Sequence, residues 1–137
     1  KTKEFHYTIK GYDKAPSAVS KAKDNIRNAN LEDYVTIRED NFFDTEKETE
    51  GKLHIVFNPP YDERLDIQME RFYSSIGDTL KKNYPGTNAW FITANLEALK
   101  FVGLKPSRKI KLFNASLEAR LVKYEMYEGS KRTKFQI

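Results

Sequence analysis

Two consecutive prolines, Pro59 and Pro60, stand one residue beyond the apolar run Leu53-His54-Ile55-Val56-Phe57, after Asn58. Proline fixes φ and cannot donate to a sheet ladder, so a strand has to end at this point. The run before it has the length and character of a central parallel strand buried on both faces. Downstream, Met69, Phe72, Tyr73, Ile76 and Leu80 recur at helical spacing, and Tyr84-Pro85-Gly86 closes that helix. Upstream, Phe5–Tyr12 reads as a strand ending at Gly11–Asp13, and Pro16 opens a helix from its first turn. Val19, Ala22, Ile26 and Ala29 give this helix its apolar face, and Asn30 is its expected stop. Tyr34–Glu39 reads as a second strand, and the charged stretch Thr45–Gly51 as a solvated loop.

After the prolines, Ala89–Thr93 reads as another buried strand and Leu96–Val102 as a short helix. Lys109–Phe113 and Ala119–Tyr127 are expected to form an antiparallel hairpin on the sheet edge, joined through residues 114–118. The period alternates between two and 3.6 along the chain, which specifies an α/β domain. At 137 residues the chain suffices for one compact domain. There is no cysteine, which excludes disulfide scaffolds and thiolate zinc sites, and no run is apolar over the length of a membrane span. The expected location is cytoplasmic. His6 and His54 have no second ligand at metal-binding spacing, so no metal is expected.

Charge divides unevenly. Residues 1–99 carry 14 Lys/Arg against 17 Asp/Glu, whereas residues 100–137 carry 10 against 3. A basic C-terminal third on a mildly acidic body fits a surface that meets a polyanion, although the same charges also solvate exposed strands and a tail such as Lys131–Lys134. Arg64, Lys105, Arg108 and Lys109 are the candidates for phosphate contacts. Arg64 is equally suited to pairing with Glu63 or Asp66 and shaping its own loop.

Doubly wound sheets bind ligands outside the carboxyl ends of their strands. Three such ends carry suggestive residues: Asp13, Asp40 and Asn58. An acidic residue at the first end can accept both hydroxyls of a ribose, or serve as the anion at a helix N-terminus. Asp40-Asn41-Phe42 joins a carboxylate and an amide to an aromatic ring, which suits the amino edge and face of an adenine and also suits an ordinary turn. In Asn58-Pro59-Pro60-Tyr61 the prolines are expected to hold two carbonyls rigidly outward. The Asn58 amide oxygen and the Pro59 carbonyl can then both accept from one exocyclic amino group. Tyr61 offers a face on which a planar base can stack.

The string Asn58-Pro59-Pro60-Tyr61 resembles motif IV of S-adenosylmethionine-dependent amino-group methyltransferases. Extended through Asp62-Glu63-Arg64-Leu65, it is similar to the signature of the RlmL-type (UPF0020 family) 23S rRNA guanine-N2 methyltransferases, with Asp62 where that family has glycine. Gly11-Tyr12-Asp13 with Ala18-Val19 and Ala22 matches too, as does Lys111-Leu112-Phe113-Asn114 followed by Leu117-Glu118 and Arg120-Leu121. The resemblance implies a Rossmann-like class I methyltransferase sheet of seven strands, mostly parallel with an antiparallel C-terminal hairpin. It implies S-adenosylmethionine as cofactor, with Asp13 on its ribose, Asp40 and Asn41 at its adenine edge and Phe42 on the ring. Asn58, Pro59, Pro60 and Tyr61 would be the catalytic set, Asn58 also bordering the cofactor, and large-subunit ribosomal RNA the partner.

Nothing before Phe5 reads as the first strand and glycine-rich loop of that family. Residues 1–137 are therefore expected to be the C-terminal portion of the catalytic domain, with motif I and an RNA-binding THUMP domain expected upstream in the complete protein. Adenine-N6 or protein-glutamine methylation, and a non-catalytic RNA-binding module of the same fold, are the alternatives.

Overall fold

The computed structural model describes residues 4–61 and 64–128. They fall into two compact units, Lys1–Thr45 and Glu46–Ile137.

The first unit is a β-α-β crossover. Strand β1 (Ile9–Asp13) and strand β2 (Val35–Glu39) pair in parallel, with Ile9 opposite Val35 and Asp13 opposite Glu39, and helix α1 (Pro16–Asn28) connects them. Pro16 lies at the helix start, where its missing N–H costs no hydrogen bond. Asn30 adopts the left-handed conformation (φ 60°) and ends the helix as expected. Strand β1 is shorter than the aromatic run that announced it. Its first backbone bond runs from Ile9 N–H to the Tyr34 carbonyl at 2.8 Å, and residues 31–34 turn away, so residues 5–8 have no ladder partner there. Of the four apolar positions assigned to α1, Val19 is buried, Ala22 and Ile26 are half-buried, and Ala29 is an exposed C-cap.

The second unit repeats the crossover and adds a hairpin. Strand β3 (Leu53–Phe57), helix α2 (Ile67–Asn83) and strand β4 (Thr87–Thr93) form a parallel β-α-β unit, with Phe57 opposite Phe91. Strands β5 (Arg108–Asn114) and β6 (Leu117–Glu125) form the hairpin, turning at Ala115 (φ 56°) and Ser116. The sheet order is β3-β4-β6-β5, so β6 runs antiparallel beside β4 and, of the two hairpin strands, β5 is the one at the sheet end. Leu96–Val102, expected as a short helix, is a 3-10 turn over Ala98–Phe101.

One face of this sheet holds the core. Strand β4 alternates strictly, with Thr87, Ala89, Phe91 and Thr93 buried. Phe91 stacks between Phe57 (5.0 Å between centroids) and Tyr124 (5.6 Å). Helix α2 covers that face with Tyr73, Ile76 and Leu80, and its Gly77 lies so close to the Val102 carbonyl that a Cβ would overlap it. Asp66 caps the helix, its carboxylate accepting from Met69 N–H at 2.8 Å. The expectation that Leu53–Phe57 would be buried on both faces is corrected: β3 is the end strand of its sheet, and His54 and Val56 are exposed, Val56 to 75%. The apolar run reports strand character, while burial depends on which neighbours lie on each face. No helix among the described residues is long and apolar enough to cross a membrane.

Candidate functional site

In the first unit the ends of β1 and β2 are tied together: Asp40 N–H donates to the Asp13 carbonyl at 3.0 Å. The Asp13 side chain is exposed, and its Oδ1 accepts from Ala15 N–H at 2.9 Å, which uses one of its two carboxylate oxygens in the turn into α1. Asp40 is half-buried and more fully engaged. Its Oδ1 accepts from Asn41 N–H at 2.9 Å, and its Oδ2 pairs with Arg38 at 3.3 Å. Asn41 in turn accepts from Phe43 N–H at 3.1 Å and caps the 3-10 turn Phe42–Asp44. That turn holds Phe42 half-buried, edge to face with Phe43 at 5.5 Å. The structure therefore gathers Asp13, Asp40, Asn41 and Phe42 at one end of the two-stranded sheet.

The second unit carries the proline loop at the carboxyl end of β3. Asn58 is exposed, Pro59 is buried and Tyr61 is half-buried. The Pro60 carbonyl is turned into the body of the unit, where it accepts from the Tyr73 hydroxyl at 3.3 Å. This corrects the expectation that both proline carbonyls point outward: the loop turns at Pro60, and Tyr73 lies beneath it. The Tyr61 hydroxyl meets the amide of Asn114, the last residue of β5, at 3.5 Å. Asp62 and Glu63 lie outside the described residues, as does the basic tail Lys131–Lys134. Arg64 is exposed, and its backbone carbonyl accepts from the Asn95 side chain at 3.3 Å.

Two of the expected phosphate ligands come together. Lys105 and Lys109 line a cleft of about 490 Å³ whose apolar walls include Leu96, Leu99 and Leu104. Lys100 and Arg120 line it too, and among the described residues no acidic one does. Lys100 is paired with Glu97 at 3.3 Å and Arg120 with Glu118 at 3.1 Å. Glu118 is held below the usual carboxylate range by hydrogen bonds from Lys111 and Arg120, foremost that from Lys111. Arg108, opposite Lys123 at the start of β5, and Arg64 are not among the cleft residues.

Sequence reasoning missed Lys100 and Arg120. It also missed a buried polar chain behind the proline loop. Helical spacing places Tyr73 on an apolar face, yet its hydroxyl lies 2.6 Å from that of Thr93, and Thr93 Oγ1 accepts from Asn95 N–H at 3.0 Å. The available signal was a Thr and an Asn just where a buried strand ends, since a buried polar side chain needs a partner. Among the described residues no His, Cys, Asp or Glu cluster has a metal-holding arrangement.

Residues 1–123 match the family model described as "RMKL-like, methyltransferase domain". A ribosomal RNA large subunit methyltransferase K/L from Syntrophotalea carbinolica is 32% identical over 125 residues, covering 86% of this chain and 17% of that protein. The chain thus spans about a sixth of the length of that curated relative. Among solved structures, SMU.472, described as a methyltransferase in complex with SAH, superposes with a TM-score of 0.76 at 27% identity, covering 89% of this chain and 32% of that one. A predicted N6-adenine-specific DNA methylase from Listeria monocytogenes superposes at 0.70 with 28% identity, over 86% of this chain and 30% of that one. The two β-α-β crossovers and the antiparallel hairpin are thus elements of a methyltransferase fold.

Proposed function

Because the chain belongs to the family of RMKL-like methyltransferase domains, we propose that it is part of an S-adenosylmethionine-dependent enzyme that methylates the N2 amino group of a guanine in 23S ribosomal RNA. The single observation that carries this reading is the exposed Asn58, at a strand end, leading into a loop that the buried Pro59 and the tethered Pro60 carbonyl hold in one shape. The Asn58 amide oxygen and the Pro59 carbonyl accept the two N–H groups of the target amine. With both protons engaged, the nitrogen lone pair is left for the electrophile. Orientation of this kind supplies roughly 7–11 kcal/mol of a barrier. Tyr61 stacks on the base, a contact worth about 1–3 kcal/mol. The methylated nitrogen is acidic and loses its proton to water, so no strong base is required.

The residues at the strand ends of the first unit fit the cofactor. Asp13 is exposed and has a carboxylate oxygen beyond the one used in its turn, which suits a ribose diol. Asp40 and Asn41 would border the adenine edge and Phe42 would supply the ring contact. Bound there, S-adenosylmethionine supplies an electrophilic methyl group on sulfur. Lys105 and Lys109, joined in their cleft by Lys100 and Arg120, take RNA phosphates, and Arg64 and Arg108 add peripheral charge. A base paired in a helix must first be flipped out, at a cost of a few kcal/mol.

Asn58→Ala in the full-length protein is the direct test, read as methyl transfer to unmodified large-subunit rRNA. A loss of at least a hundredfold is expected, and near wild-type turnover would refute the role of Asn58. The likeness to an adenine-specific methylase keeps adenine-N6 methylation as the second reading. Mass spectrometry of the labelled product separates the two: N2-methylguanosine supports the first and N6-methyladenosine the second.

A further inference from the structure

We infer that Tyr73, Thr93 and Asn95 are positioning residues for the reaction, forming a buried hydrogen-bond clamp that fixes both flanks of the loop carrying Asn58 and Tyr61. The inference rests on the reading of that loop given above. Tyr73 and Thr93 are fully buried and Asn95 is 4% exposed.

The proton pattern in the clamp follows from its ends. The Pro60 carbonyl can only accept, so the single Tyr73 proton goes to it, at 3.3 Å. Thr93 must then donate across the 2.6 Å contact to the Tyr73 oxygen. A Thr93 oxygen lone pair is left to receive Asn95 N–H at 3.0 Å. The result is a one-way chain from Asn95 through Thr93 and Tyr73 to Pro60, in which each bond polarises the next. Burial raises the Tyr73 phenol above its ordinary value, so it remains a donor across the working pH range.

Asn95 also reaches the far flank. Its Nδ2 donates to the Arg64 carbonyl at 3.3 Å, while its Oδ1 accepts from Ala98 N–H at 3.0 Å. Tyr73 from α2 and Asn95 from the segment after β4 thus grip backbone carbonyls on the two sides of Tyr61, and Thr93 of β4 links them. Their bonds end on the loop's backbone, so losing one leaves the side chains of Asn58 and Tyr61 in place and loosens the frame that aims them.

Tyr73→Phe keeps the ring packing and removes the hydroxyl. In the full-length protein, kcat for methyl transfer to large-subunit rRNA is expected to fall at least tenfold. KM for RNA and the calorimetric affinity for S-adenosylmethionine should stay within twofold. Amide exchange at Tyr61, Arg64 and Leu65 should quicken at least tenfold, with β4 unchanged, a pattern that general loss of stability would not give. Asn95→Asp keeps the acceptor for Ala98 N–H and removes the donor to Arg64. It should give the same split, and it carries the test alone should Tyr73→Phe fail to fold. Folded variants with kcat and loop exchange within twofold of wild type overturn the clamp. Such a result, with Asn58→Ala inactive, leaves the site reading standing. An active Asn58→Ala overturns the site reading, while loop exchange in Tyr73→Phe still decides whether the clamp holds the loop.

Discussion

The two units begin from the same plan, a parallel strand pair joined by a helix, and bury very different amounts. Helix α1 buries Val19, whereas α2 buries Tyr73, Ile76, Gly77, Thr79 and Leu80. Both helices have apolar residues at the right spacing, so periodicity does not account for the difference. What the second unit adds is surface for the helix to press on: β6 beside β4 widens the sheet, and the 3-10 turn lets Val102 approach Gly77. A β-α-β unit supplies the framework, and the strands added beside it determine how much apolar area leaves water. The proposed roles are divided along the same line. The residues assigned to the cofactor sit on the lightly packed unit, and the loop assigned to the target base is bolted to the densely packed one.

If the second unit owes its packing to the stacked column Phe57–Phe91–Tyr124, removing the central ring gives the largest effect. Phe91→Ala is expected to cost about 3–5 kcal/mol in chemical denaturation, because Phe91 is fully buried and the sheet beside it cannot collapse into the space. A cost below about 1 kcal/mol would mean that the column is not what separates the units.

A smaller effect comes from pH. Tyr124 is 1% exposed, and burial first, then the neighbouring Tyr73, pushes its phenol up to about 12 from 10.0. The folded form therefore holds its proton more tightly than the unfolded one. The stabilisation is fully present below pH 10 and is lost as pH rises through about 12, amounting to on the order of 2 kcal/mol. Tyr124→Phe should flatten the decline in stability above pH 10 followed by fluorescence. An unchanged alkaline profile would place the titrating group elsewhere.

Much of this architecture could be read from the chain. Pro16, Asn30, the double proline and Tyr84-Pro85-Gly86 mark element ends because their backbones permit few alternatives, and the observed elements stop within a few residues of them. What escaped was whatever depends on a partner. Phe5–Tyr7 has strand composition but no strand opposite it among the described residues, and Val56 belongs to an apolar run yet is exposed on the end strand of its sheet. The candidate site divides in the same way. Asn58 and Asp13 announce themselves at strand ends, whereas the Tyr73–Thr93 contact spans residues that no local pattern relates. Lys105 and Lys109 share a cleft with Arg120 only because β5 and β6 pair in the observed register.

The mildest change tests the lightly packed side. Val19 is 6% exposed and is the buried apolar residue of α1, so Val19→Ala removes about two methyl groups from a small core. At about 0.8 kcal/mol for each, the expected cost is about 1.5 kcal/mol, with little added for a cavity because the neighbouring Ala22 and Ile26 are already half in solvent. If the two units are packed independently, this loss appears as faster amide exchange in β1 and β2 alone, while the β4 and β6 amides keep their wild-type rates. Equal acceleration in all four strands would show that they open together, and the contrast in burial would then carry no difference in local stability. Faster exchange confined to the first unit, together with weaker S-adenosylmethionine binding, would tie its loose packing to the cofactor role proposed for Asp13 and Asp40.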